Sequence, residues 1–164
     1  LIDQEIIHQD QFGNGHIIIK VNSISDYATI NKLYEASQKG VKIDLIVRGI
    51  CCLIPGIESI SDNIHVRSIV GRYLEHMRIY YFHNNGKKDM FISSADLMTR
   101  NMEARIELAL KITDVASKNK IERLLTLQLK DNQKARINLL GKYSHVEQIG
   151  KIVNSQLDLY KHLK

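Results

Sequence analysis

The chain has 164 residues, of which 44% are hydrophobic and 25% charged, with a formal net charge of +5. That size and balance suit one globular domain with a real core, without repeats or low-complexity segments. No apolar run approaches a membrane helix in length, no secretory signal pattern opens the sequence, and the positive charge favours an anionic partner. The first residue is Leu1 rather than Met, which reads as a piece of a longer protein.

In chain order, residues 2–11 space Ile among polar residues at roughly helical intervals and predict a short helix, broken by Gly13-Asn14-Gly15. His16–Val21 is nearly all apolar and predicts a central strand. Ser25 or Asp26 caps a helix to about Gln38, stopped at Gly40, and Lys42–Val47 is a second strand ending at Arg48. Strand, helix, strand implies a parallel pair. Ligands on open parallel sheets gather at the carboxyl ends of the strands, which puts Asn22 and Arg48 on one edge.

Residues 49–63 read as a loop with Pro55-Gly56 as its breaker, and residues 65–70 as β-rich. Residues 71–75 read as one helical turn leading into a strand that holds His76 and ends at Phe82. A turn at Asn84-Asn85-Gly86 precedes another strand-like run, residues 90–96. Alternation over residues 105–112 suggests a further strand, with a helix as the alternative, and Asp114 caps a helix over residues 115–131 with Ile121, Leu124, Leu125 and Leu129 on one face. The expected architecture is α/β: a mixed sheet of about five to seven strands with helices on both faces.

The chemistry concentrates around His76. Strand side chains alternate between faces, so His76, Arg78 and Tyr80 share one face and Met77, Ile79 and Tyr81 the other. An imidazole beside a guanidinium, followed by the small polar residues Ser93-Ser94 and by Asn101, suits phosphate chemistry. The imidazole attacks phosphorus or donates a proton to a leaving oxygen, and the guanidinium forks onto two phosphate oxygens. A surface hairpin with a chance His and Arg fits the same pattern. The charge distribution adds to the first reading: six of the eight Arg (Arg48, Arg67, Arg72, Arg78, Arg100, Arg105) lie between positions 48 and 105, whereas only Lys87 and Lys88 of the 15 Lys do. About half of those Arg are expected to pair with structural carboxylates. His8, His16, His83, His145 and His162 lack a partner at suggestive spacing and read as surface residues, whereas His65, just ahead of Arg67, is ambiguous. Cys51 and Cys52 are adjacent, which suits neither an ordinary disulfide nor a Cys-x-x-Cys metal site, and read as buried free thiols of a reducing cytoplasm. No zinc-type ligand spacing, Gly-rich phosphate loop or dinucleotide motif is present.

Several blocks in order carry a resemblance: residues 40–53, from Gly40 through Arg48-Gly49 to Leu53; residues 66–72, ending in Val70-Gly71-Arg72; Leu74-Glu75-His76; and Ser93-Ser94-Ala95-Asp96 with Arg100-Asn101. Together they resemble bacterial polyphosphate kinase, over roughly residues 1–140. The resemblance points to the last of that family's four domains, similar to one half of a phospholipase D-type fold, with His76-Met77-Arg78 standing where His-x-Lys is usual. It implies a C-terminal catalytic-type domain at 1–140; the tail at 141–164 is polar with spaced Ile, Val and Leu and reads as helical, with a partly mobile segment as the alternative.

The function implied is reversible transfer of the terminal phosphate of ATP to polyphosphate through a phosphohistidine carried by a preceding domain. His76 would be the catalytic residue of this chain, contacting phosphate and donating a proton. Arg48, His76, Arg67, Arg78, Ser94 and Asn101 would bind ATP or polymer. No residue here would ligate metal, because Mg2+ in this family is held mainly outside this domain. The implied partners are ATP or ADP, polyphosphate and the preceding domains of the same polypeptide. The implied location is the cytoplasm without a membrane span, with membrane association and a homo-oligomer both admitted. Ile54 departs from the family, where a basic residue often precedes Pro-Gly. The residues alone leave open a phospholipase D-type phosphodiesterase or nuclease, or a non-catalytic polyanion-binding module.

Overall fold

The computed structural model describes residues 1–163, with side chains through residue 161. Helix α1 (Ile2–Phe12) ends at Gly13, whose φ of 65° supplies the left-handed turn. Strand β1 (His16–Val21), helix α2 (Tyr27–Gln38) and strand β2 (Lys42–Val47) follow. Asp26 caps α2 by accepting from the Thr29 N–H at 2.8 Å. Then come β3 (Ile64–Ile69), β4 (Ile79–Phe82), β5 (Asp89–Ser93), a π turn at Arg100–Ala104, and β6 (Ala109–Lys111). Helix α3 (Val115–Lys130), capped by Asp114 onto the Ser117 N–H, precedes β7 (Ala135–Leu139), β8 (Lys142–His145) and α4 (Ser155–Leu163).

The strands form one mixed sheet of eight, in the order β6-β5-β4-β1-β2-β3-β7-β8. That is one more strand than the upper end of the sequence expectation. The extra strands are the β7–β8 hairpin, where Ala135–Leu139 joins the sheet antiparallel to β3 and the solvent-exposed Lys142–His145 closes the edge. The segment after residue 141 therefore carries a strand as well as a helix. β1, β2 and β3 are parallel, and the other pairings are antiparallel. Helices α1 and α2 cover one face, where Ile17, Ile19, Ile43, Leu45 and Val66 pack with Ile30 and Leu33. Helices α3 and α4 cover the other, where Ile18, Ile46, Ile79 and Tyr81 meet Leu124, Leu125 and Leu159. Apart from Lys20 and Asp44, the buried residues of β1 and β2 are apolar on both sides because both faces are covered.

Register decides where the loops fall. Lys20, next to last in β1, pairs with Ile79, the first residue of β4; Ser93, the last of β5, pairs with Ala109, the first of β6; and Ile69, the last of β3, pairs with Ala135, the first of β7. The chain leaving β1, β2, β3 and β5 and the chain entering β4, β6 and β7 thus meet at a single edge, the carboxyl end of the parallel strands.

Candidate functional site

At that edge Arg48 follows β2 and Asn22 follows β1. Arg48 Nε donates to Asn22 Oδ1 at 2.6 Å, and Arg48 Nη2 lies 3.2 Å from His76 Nδ1. A guanidinium only donates, so Nδ1 accepts in this pair, and the neutral ring carries its proton on Nε2. His76 is an exposed residue, and its ring lies beside a half-buried guanidinium.

Asp96 organises the far side of Asn22. Its carboxylate accepts from the Asn22 backbone N–H at 2.7 Å and from Asn22 Nδ2 at 3.0 Å. Arg78 donates to it from Nε at 3.3 Å and from Nη2 at 3.1 Å, a two-point fork. Burial alone would raise the Asp96 carboxyl, but the bonds from Arg78 and Asn22 hold it below its ordinary value. Arg78 Nη1 also donates to the His76 carbonyl at 3.3 Å. The chain His76, Arg48, Asn22, Asp96, Arg78 and back to His76 is therefore a closed ring of polar contacts.

His76 is not in a strand. β4 begins at Ile79, and residues 71–75 make no helical turn; His76 sits in the loop between β3 and β4. Arg78 and His76 still meet, through the ring above rather than through strand alternation. Arg67 lies in β3 and donates from Nη1 to the carbonyls of Gln128 (3.3 Å) and Asp131 (3.0 Å) at the end of α3, which occupies that nitrogen with orphan carbonyls. Ser94 and Asn101 are joined by Glu107: Ser94 Oγ donates to Oε2 and Asn101 Nδ2 to Oε1 at 2.5 Å. Asn101 is buried, and its Oδ1 has no hydrogen-bond partner among the described residues.

Other residues depart from their sequence readings. His8 is buried, and His16 Nε2 sits 2.8 Å from Asp44, which His65 also approaches at 3.7 Å. Cys51 and Cys52 are free thiols, but Cys52 is exposed rather than buried, while burial pushes the Cys51 thiol up to about 11. Among the described residues no three His, Cys, Asp or Glu side chains converge as a metal site, and no helix is long and apolar enough to cross a membrane.

Sequence reasoning missed the support behind His76. Glu75 is buried and its Oε2 lies 2.9 Å from Lys20 Nζ. Gln128 Nε2 and Gln156 Nε2 each donate to the same carboxylate at 2.7 Å. Burial works against both charges: it lowers the Lys20 ammonium, and it would raise Glu75 were that carboxylate not held down by Lys20, Gln156 and Gln128. A lysine inside an otherwise apolar central strand was the available signal, because a buried ammonium requires a partner.

The family described as polyphosphate kinase C-terminal domain 2 matches residues 1–156 of this chain. Curated polyphosphate kinases from Bacillus anthracis and Halalkalibacterium halodurans are 54% and 57% identical over 163 and 148 residues, or 98% and 90% of this chain. The chain spans only 23% and 21% of their lengths. The crystal structure of polyphosphate kinase from Porphyromonas gingivalis superposes with a TM-score of 0.96 at 42% identity, over 99% of this chain and 25% of that one. NucT from Helicobacter pylori, at 14% identity and a TM-score of 0.57 over 79% of this chain and 87% of its own, shares the fold alone, which extends to the phospholipase D type. The chain belongs to the family of polyphosphate kinase C-terminal domains.

Proposed function

We propose that this chain is the phosphate-binding lobe of an ATP:polyphosphate phosphotransferase, which reversibly moves the terminal phosphate of ATP to polyphosphate through a phosphohistidine carried by a preceding domain. The observation that carries this reading is the Arg48–His76 pair, a guanidinium beside an exposed imidazole at the carboxyl edge of the sheet. Arg48 would grip the oxygens of the transferring phosphoryl group, and its bond from Nε to Asn22 orients the fork. As the bond between the terminal phosphorus and its bridging oxygen breaks and the bond to the attacking histidine nitrogen forms, Nε2–H of His76 would donate to the departing oxygen. In the reverse direction the imidazole would take the proton back.

Arg78 would act chiefly through Asp96, whose fork fixes the ring, and Ser94 and Asn101 would line the same edge around Glu107. Arg67 would lend positive charge rather than a free fork. When bound, magnesium would neutralise phosphate charge; among the described residues no three ligand side chains converge to hold it. The preceding domains of the same polypeptide would be the main partner. Val70, Leu74 and Met77 stand exposed around His76, as apolar side chains do on a face that another lobe covers. We place the protein in the cytoplasm, in keeping with two free cysteines.

The test is to supply the full-length protein with polyphosphate, ADP and magnesium and follow ATP. ATP formation supports the reading. Cleavage of a phosphodiester without ATP would move the chain to the phosphodiesterase class.

A further inference from the structure

The loop of residues 70–77 carries His76 but almost nothing that anchors it by packing. Glu75 is its only buried residue, and Leu74, next to it, is 74% exposed. A loop without apolar anchors is placed by its polar contacts: Arg48 and Arg78 hold His76, Lys20 and Gln128 hold Glu75, and a further set comes from outside the site. Gln156 in the first turn of α4 accepts from the Tyr73 N–H at 3.1 Å and donates to the Tyr73 carbonyl at 2.8 Å and to Glu75 at 2.7 Å. The start of α4 is itself fixed, because Asp131 accepts from the Ser155 N–H at 2.7 Å and from Ser155 Oγ at 2.6 Å. A route of contacts thus runs from the end of α3 through the start of α4 to the residue before His76.

We propose that Gln156 is a positioning residue for His76. By clasping the Tyr73 backbone and the Glu75 carboxylate, it fixes the loop at the height where His76 meets Arg48. The C-terminal helix thereby sets the geometry of a site more than 70 residues earlier in the chain. Gly71 fits this role: a Cβ there would meet Gln156 Cδ at 2.9 Å, so the clasp needs a residue without a side chain at that point. The proposal rests on the reading of His76 as the proton-donating phosphate contact.

The test is a double-mutant cycle in the full-length protein, reading ATP formed from polyphosphate and ADP, with folding followed by thermal melting. Gln156→Met keeps the volume and removes all three polar contacts. It should lower turnover about 10–100-fold, the scale expected for a misplaced catalytic group. In a His76→Ala background the same change should produce no further loss, because a residue that acts only through His76 has nothing left to position. Loss by the same factor in both backgrounds, or wild-type turnover of Gln156→Met, overturns the proposal. If His76→Ala is impaired and Gln156→Met is not, only this inference fails; if His76→Ala keeps wild-type turnover, the functional reading fails with it. Should Gln156→Met not fold, Gly71→Ala, whose methyl displaces the Gln156 amide from its partners, is read by the same criteria.

Discussion

Arg48 Nη2 lies 3.2 Å from His76 Nδ1, although 28 residues separate them in the chain. Two strand ends bring them together: the exit of β2 and the approach to β4 both lie on the carboxyl edge of the sheet. The contact also sets the tautomer, since the guanidinium can only donate, and that leaves the neutral ring's proton on Nε2.

Arg48→Lys tests whether the fork matters or only the charge. Lysine places one point charge where arginine reaches Asn22 and His76 from two nitrogens. Losing charge-assisted bonds of this kind costs about 1.5–3 kcal/mol, so turnover of the full-length protein should fall roughly 10–100-fold with melting little changed. Steady-state ATP formation from polyphosphate is the measurement, and wild-type turnover would show that charge alone suffices.

Gly71→Ala tests the contact between the site loop and α4. The added methyl meets Gln156, which must move away from Tyr73 and Glu75. Overpacking of this sort costs about 1–3 kcal/mol. A lowered melting temperature together with reduced turnover is expected. An unchanged melting curve would mean that the loop and α4 are not held together as described.

Asp131 predicts an acid limb of stability. Burial would raise its carboxyl, but bonds from Ser155 and from the N–H groups of Lys134 and Gln133 hold it below the ordinary value of 3.8. A depressed carboxylate adds stability that is fully present above its unfolded value and is lost as pH falls through the folded one. The melting temperature should therefore decline below pH 3.8. Asp131→Asn should be less stable already at pH 7, by about 1.5–3 kcal/mol, and lose less on acidification. Parallel acid limbs for the two proteins would remove Asp131 from this account.

Much of the fold was legible because β1, α2 and β2 carry clean periodicity and Asp26 and Asp114 are strong caps. The β7–β8 hairpin was not legible: Lys142–His145 is exposed throughout, so its sequence has no apolar alternation to show. The strand-end rule placed Asn22 and Arg48 together, where they are found. The strand assigned to His76 failed because Glu75 and His76 are held by Lys20 and Arg48 rather than by a neighbouring strand, tertiary pairings that β propensity does not report. Arg67 shows the same limit. Its two carbonyl partners belong to a helix end more than 60 residues away, and nothing local announces them.

The isolated chain should bind polyphosphate weakly and make none. It offers Arg48 and its neighbours to a polyanion, but phosphoryl transfer also needs a nucleophile and aligned donor and acceptor, which the reading assigns to another lobe. Binding measured by titration should weaken steeply with added salt, as exposed charges are screened. Polymer synthesis by the isolated chain from ATP and magnesium would promote His76 from proton donor to nucleophile.

His76→Ala in the full-length protein bears most directly on the role given to the Arg48–His76 pair. A positioned proton donor typically contributes about 10²–10⁴-fold, so ATP formation from polyphosphate and ADP should fall by that factor while the protein stays folded. Turnover equal to wild type would contradict the account, because it would leave the imidazole beside Arg48 without a part in the transfer.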